Sequence, residues 1–223
     1  MSKLSSRVVL ALVLSVPAST YAQAYPSKPI LLIVPSAPGG QPDITARLIA
    51  NELGKQMGKQ VMVDNRGGAS GIIGLEVIAK AAPDGYTLGF ATFSIMTNPS
   101  VFAKLPYDTA RDFQSVIQSH KSANLLTVTP SLPEVRTLDE SALPGFEVTS
   151  WQGVFTTAGT PAPVLARMHA EFVKVVHKPD MKPKLEQQDM EPTGPSAAAF
   201  GAAYRSELAR WTKVARDVGL KAN

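Results

Sequence analysis

The feature that most constrains the fold is an alternation of buried-strand and helix patterns between residues 30 and 91. The run from Ile30 to Val34 is apolar throughout, which is typical of a strand buried on both faces of a sheet. Apolar residues then recur at four-residue spacing and predict an amphipathic helix over 43–57. A strand at 60–64, a helix at 70–82 and a strand at 86–91 follow. This order, with short connections, predicts parallel α/β packing with right-handed crossovers.

The regular pattern stops in the middle of the chain. No helix of ordinary length is predicted between Pro106 and Pro144, although 112–118 and 124–130 each have strand character. Helices are predicted again near the C-terminus. One is capped by Thr160 with Pro161 at its first position, and the last is capped by Ser196.

The segment PSAPGGQPD, residues 35–43, connects the first strand to the first helix. Ligands of parallel sheets collect at the carboxyl ends of strands, beside helix N-termini that present unpaired amides. Two glycines allow close approach of the backbone, and three prolines stiffen it. The segment therefore suits a carboxylate or phosphate held by backbone amides. It equally suits a rigid turn with Pro42 at the first helical position.

Polar residues near this edge complete a candidate site. Asp43 favours the positive end of the helix dipole, so a structural cap is the preferred interpretation and direct ligand contact is the alternative. The stretch ATFSIMTNP follows the third strand and offers hydroxyl and amide groups that could also cap the next helix. A second glycine-rich loop, DNRGGASGIIG, matches no phosphate-binding pattern. The candidate ligand-binding residues are Ala37, Pro38, Gly39, Gly40, Asp43, Thr92, Ser94 and Asn98.

Composition excludes several kinds of chemistry. The chain has no cysteine, so thiol catalysis and cysteine-ligated metals are excluded. The three histidines do not have metal-ligand spacing, and no nucleophile–base pair is visible. No catalytic residue, metal or cofactor is therefore predicted. The net charge of +4 is spread along the chain without a dense basic run, so no nucleic-acid partner is predicted.

The N-terminus has the pattern of an export signal. Lys3 and Arg7 precede a short apolar stretch, and Ala22-Gln23-Ala24 supplies small residues for a cleavage site. Cleavage is expected after Ala24, with Ala22 as the alternative, which makes residues 1–24 a signal peptide and the mature protein periplasmic. Loss of both signal charges leaves 20 basic and 18 acidic residues, a net charge of +2.

These features together resemble the substrate-binding receptors of tripartite tricarboxylate transporters, the Bug family of proteobacterial periplasms. The motifs PGGxxD and APDGYTL, in this order, are the most specific. The resemblance covers most of the mature chain, in YPSKPILLIVPSAPGGQPDITARLIANELG, VMVDNRGGASGIIGLEVIAKAAPDGYTLGFATFSIMTNPSVFAKLPYDTARDF, LPGFEVTSWQGVFTTAGTPAPVLARMHAEF and RWTKVARDVGLKA. It implies a two-lobed binding protein whose loop amides, matching Ala37 to Asp43, hold a ligand carboxylate. The ligand would be delivered to a membrane permease or a sensor protein.

The chain departs from the family pattern at one point. Family members continue after NPSLP for about 100 residues, roughly one small domain, whereas this chain runs directly through TPSLPEVRTLDESALPGFEV. The expected fold is therefore a periplasmic-binding-protein-like parallel sheet with flanking helices, one lobe largely complete and the second mostly missing. Residues 25–118 and 146–223 would form the main lobe, and 119–145 a remnant or linker.

Three functions are compatible with this pattern. The leading hypothesis is a solute receptor for a small carboxylate, shortened and with weak binding, acting as a monomer or weak dimer. The second is an exported interaction or sensor module that has lost solute binding. An exported hydrolase is the third, and the missing catalytic pattern argues against it, so the chain is not expected to be an enzyme.

Overall fold

A computed structural model describes residues 25–124 and 149–220. The strands are β1 Ile30–Val34, β2 Val61–Asn65, β3 Thr87–Thr92, β4 Phe113–Ala123, β5 Thr149–Thr157 and β6 Glu191–Pro192. The helices are α1 Gln41–Met57, α2 Ile72–Ala79, α3 Ser94–Val101, α4 Ala162–Val176, α5 Lys182–Glu186 and α6 Ala197–Asp217, with a 3₁₀ turn at Ala69–Gly71 before α2. Within these ranges, no helix combines the length and hydropathy needed to cross a bilayer.

The strands form one sheet in the order β2-β1-β3-β5-β4-β6. The first three are parallel, as the strand–helix alternation predicts, because α1 and α2 carry the chain back across the sheet. From β5 onward the pairs are antiparallel, so the sheet is mixed and not parallel throughout. The α/β class and the flanking helices are confirmed. The sheet becomes antiparallel because β5 lies between β3 and β4 and runs opposite to both.

Apolar side chains fill both faces of the sheet. One core cluster packs α1 and α4 against the sheet and includes Phe90, Val154 and Phe172. The other packs α2, α3 and α6 against the opposite face and includes Phe155 and Trp151. Val154 and Phe155 are consecutive on β5 and belong to different clusters, because successive strand residues point to opposite faces. Trp151 is buried in the second cluster.

Several element boundaries differ from the sequence prediction. The expected cap at Thr160 is wrong: its hydroxyl donates to the Thr157 carbonyl at 2.8 Å, and α4 begins only at Ala162. Ser196 does cap the last helix, because its hydroxyl oxygen accepts from the Ala199 amide at 3.1 Å. The strand predicted at 112–118 is confirmed and continues to Ala123, beyond the expected lobe boundary at 118. The possible strand at 124–130 and most of the predicted remnant lie outside the described residues.

Candidate functional site

The loop between β1 and α1 opens onto the carboxyl edge of the sheet. Residues 37–40 are exposed, and Gly39 has a φ of 80°, a left-handed conformation that favours glycine. Gly40 is the N-cap of α1, and its carbonyl accepts from the amides of Asp43 and Ile44, both at 3.0 Å. Among residues 25–124 and 149–220, no acceptor binds the amides of Gly40 and Gln41. These two donors are therefore the free end of the 17-residue helix α1.

Asp43 stabilises this loop from below. Its side chain is only 4% exposed. Oδ2 accepts from the Gly39 amide at 2.8 Å, and Oδ1 lies 2.9 Å from Nε of Arg47. Burial alone would raise the pKa of Asp43, but the Gly39 amide and the Arg47 guanidinium outweigh it and lower the pKa. The ionised carboxylate thus binds its own loop, which favours the structural interpretation of Asp43. Because it accepts from the Gly39 amide, that amide is not available to a ligand.

The second glycine-rich loop packs directly against the first. The Arg66 amide donates to the Val34 carbonyl at 2.9 Å. A Cβ on Gly67 would lie 3.0 Å from the Ala37 nitrogen, and one on Gly71 would lie 2.9 Å from the Pro35 carbonyl oxygen. Two backbones can approach this closely only where side chains are absent. The glycines of DNRGGASG therefore position the first loop.

The residues that follow β3 divide between the site and its support. Thr92 and Ser94 are half-buried, and their hydroxyls lie 3.0 Å apart. Because β3 is the neighbour of β1, this hydroxyl pair lies at the same sheet edge as the loop. Asn98 is buried, and its amide donates to the Ser70 carbonyl at 3.2 Å and to the Tyr107 hydroxyl at 3.3 Å. Asn98 therefore holds the second loop, where Ser70 has a left-handed φ of 55°.

Two glutamines that no sequence pattern marks join the elements of the site. Gln152 lies on β5 opposite Thr92 and is 5% exposed. Its Nε2 donates to Oε1 of Gln41 at 3.1 Å, at the first residue of α1. The contact links the end of β3 and the start of α1 through a strand that is distant in sequence. Nothing in the residue types marks this pair, because it depends on strand register.

His120 is buried and lies beside Gln152, its partner across β4 and β5. The Ser119 hydroxyl donates to the Gln152 carbonyl at 2.9 Å, so its oxygen accepts from Nδ1 of His120 at 3.0 Å. This arrangement leaves Nε2 of His120 as an unprotonated acceptor. Burial lowers the pKa of His120 to about 4, so the ring is neutral near pH 7. In the part of the chain that the structure describes, no cluster of His, Asp and Glu could hold a metal ion.

Comparison with known families identifies the chain. The model of the tripartite tricarboxylate transporter family receptor matches residues 45–134 and 128–220. The chain belongs to this receptor family. Its members are transport receptors and not enzymes, which confirms the expectation drawn from the missing catalytic pattern. The two matched segments overlap at residues 128–134, the region where the sequence departs from the family pattern.

Curated relatives of this receptor match it over different lengths. A UPF0065 protein from Pseudomonas sp. strain P51 is 27% identical over 307 aligned positions, covering 92% of this chain and 91% of the relative. The alignment uses about 205 of the 223 residues of this chain, so roughly 100 of its 307 positions are gaps in this chain. A UPF0065 protein from Agrobacterium vitis is 40% identical over 118 residues, which are 52% of this chain and 34% of that protein.

Solved structures share the fold of this receptor. The R. palustris protein Rpa4515, solved with adipate, has a TM-score of 0.79 at 23% identity and aligns with 89% of this chain and 100% of its own. MatC from Rhodopseudomonas palustris, solved with malate, has a TM-score of 0.72 at 20% identity, with 86% and 100% coverage. These likenesses confirm the periplasmic-binding-protein-like fold.

Proposed function

We propose that this chain is a periplasmic receptor that binds a small carboxylate at the start of α1 and presents it to a transporter permease or a sensor protein. The observation that carries the proposal is the pair of free amides at Gly40 and Gln41. They lie at the positive end of a long helix, at the sheet edge where ligands of such folds collect. The ligands of the two solved relatives, adipate and malate, are both carboxylates.

The charges around the loop favour an anion. Asp43 is the carboxylate nearest to the free amides in sequence. Because Arg47 is paired with Asp43, this carboxylate leaves no uncompensated negative charge beside the ligand. The Thr92 and Ser94 hydroxyls lie at the same edge, and because one donates to the other, the pair offers one further donor. Gly39 supports binding indirectly, since its amide already donates to Asp43. We therefore assign direct contact to Gly40, Gln41 and the hydroxyl pair, and loop support to Gly39, Asp43 and Asn98.

The site has one wall in this proposal. Three observations support a shortened second lobe: the unmatched positions in the alignment with the Pseudomonas protein, the overlap of the two family matches near residue 130, and the closeness of the strand ends. Ala123 pairs with Thr149, and the Ser150 hydroxyl donates to Oδ1 of Asn124 at 2.9 Å. Because the end of β4 and the start of β5 are adjacent, a short or a long connection can join them. A ligand on one lobe keeps much of its surface in water, which predicts weak binding.

The first test concerns the loop amides. A Cβ on Gly40 would meet only ordinary contacts, 3.6 Å from the Ala37 carbonyl oxygen and 3.7 Å from Pro42, and its φ of −74° is open to any residue. Gly40→Val should therefore fold normally while its branched side chain screens the amides. Loss of charge-assisted hydrogen bonds, about 1.5–3 kcal/mol, should weaken malate or adipate binding roughly 10- to 100-fold.

Calorimetry on the mature protein with both acids measures this effect. Ala103→Val, an added side chain at an exposed position outside the site, is the matched control. Equal affinities for wild type, Gly40→Val and the control would remove the loop from the binding site. Binding of neither acid to the wild type would favour the alternative, an exported interaction or sensor module.

The second test concerns the shortened connection. Replacing residues 125–148 with six Gly/Ser residues should leave the main lobe folded, because the strands on either side are already paired at their ends. Loop-closure entropy predicts a change in the free energy of unfolding of about 1 kcal/mol. Thermal unfolding checks stability, and calorimetry with malate checks whether the segment contributes to binding. Unfolding of the shortened protein would show that residues 125–148 are part of the core.

A further inference from the structure

The edge strand β2 presents unpaired backbone groups. The Gln60 carbonyl accepts from the Ile30 amide, and the Arg66 amide donates to the Val34 carbonyl. In this parallel pair the backbone groups of the even-numbered residues between them are therefore directed toward β1. The N–H and C=O groups of Val61, Val63 and Asn65 therefore point away from the sheet. No described strand lies beyond β2 in the sheet order. A row of such groups is a template for an added strand.

A groove runs along this edge between β2 and α1. Its volume is about 700 Å³. The α1 side is lined by small residues at four-residue spacing, Ala50 and Gly54, followed by Gly58 after the helix end. Met62 projects from β2 with 42% of its surface exposed. Small side chains on one wall leave the free backbone groups of the other wall open to an extended chain.

The charge of the groove selects its occupant. Arg47, Lys55 and Lys59 line it, and no described residue of its lining carries a negative charge. Lys55 and Arg47 are each paired with a carboxylate beneath the surface, Glu52 at 2.7 Å and Asp43 at 2.9 Å. Glu52 also pairs with Lys178 at 2.8 Å, so the surroundings remain positive overall. An acidic chain is attracted here, whereas a second copy would place these same cations opposite one another.

We infer that the groove between β2 and α1 is a docking site for an extended, acidic segment of a partner protein, which adds to the sheet as a strand beside β2. Backbone bonds to Val61, Val63 and Asn65 would hold the segment, and the three cations would select acidic side chains. Gly40 and Gln41 do not line this groove, which shares only Arg47 with the support of their loop, so the inference does not depend on carboxylate binding.

The test uses two synthetic peptides, one alternating Thr with Glu and one alternating Thr with Lys. Hydrogen exchange of the full-length mature protein is followed at the outward amides. The acidic peptide is expected to slow exchange at Val61 and Val63 severalfold, and the basic peptide is expected to leave it unchanged. Peptide affinity is measured in parallel by fluorescence anisotropy at low salt.

Matched variants separate backbone pairing from charge. Val63→Pro removes one outward N–H without breaking a bond to β1, and Val63→Ala is its control. Lys59→Glu should weaken the acidic peptide roughly tenfold, whereas Lys104→Glu, exposed and outside the groove, should not. Equal effects of both peptides, or retained affinity in Val63→Pro and Lys59→Glu, would overturn the inference. Dimerisation through β2 without peptide would also overturn it, in favour of a second copy as occupant.

Discussion

Replacing Phe155 with alanine is expected to lower the free energy of unfolding by about 3–5 kcal/mol, the usual cost of removing a fully buried phenylalanine. Phe155 has no exposed surface. Its ring lies 5.1 Å from Tyr204, 5.2 Å from Phe200 and 6.5 Å from Phe113 between ring centroids. Phe113 precedes the 125–148 segment and the other two follow it. The substitution therefore removes the centre of a cluster that joins the two halves of the chain.

Urea unfolding followed by fluorescence and circular dichroism measures this loss. Val218→Ala, at a side chain that is 72% exposed, is the control and should change stability by less than about 0.5 kcal/mol. Both probes should report one transition in the wild type, because the early strands and the late helices share one core. Two separate transitions, or a small cost for Phe155→Ala, would contradict the proposal that the segments on either side of residues 125–148 form a single lobe.

Local patterns predicted the first half of the fold well. The apolar run at 30–34 and the helical spacing that follows it correspond to β1 and α1, with α1 starting two residues earlier than expected. Hydrophobic periodicity is sufficient here because each element buries the face that its own sequence defines. The antiparallel half was not predicted. Its pairs join residues that are distant in sequence, such as His120 with Gln152 and Thr92 with Gln152, and periodicity carries no information on such partners.

The candidate site shows the same division. The prolines and glycines of residues 35–42 predicted the loop before α1, because proline fixes φ and glycine permits conformations that other residues avoid. The position of Asp43 at the helix start indicates a structural cap, but the partner that each loop group binds could not be read from residue types. Asp43 faces inward and occupies the Gly39 amide, whereas Gln41 is tied to Gln152 across the sheet. These roles depend on side-chain direction and strand register, which only the folded arrangement sets.

His120 should make the protein less stable in mild acid. Burial lowers its pKa from 6.5 to about 4, so the folded state holds the neutral ring while the unfolded chain binds a proton below pH 6.5. The contribution of neutral His120 to the free energy of unfolding is therefore fully present above pH 6.5 and is lost as the pH falls toward 4. A shift of this size corresponds to about 3 kcal/mol between the two limits. Stability should level off below pH 4 as far as this group is concerned.

Chemical unfolding of the wild type and of His120→Gln across pH 4–7 isolates this contribution. Every other ionisable residue is the same in both proteins, so the difference between the two profiles belongs to position 120. The wild type should lose about 3 kcal/mol more than the variant over this range. Parallel profiles would show that the buried ring does not resist protonation. If the variant fails to fold, an NMR titration of the wild-type ring decides the question, and a pKa of His120 near 6.5 would contradict the prediction.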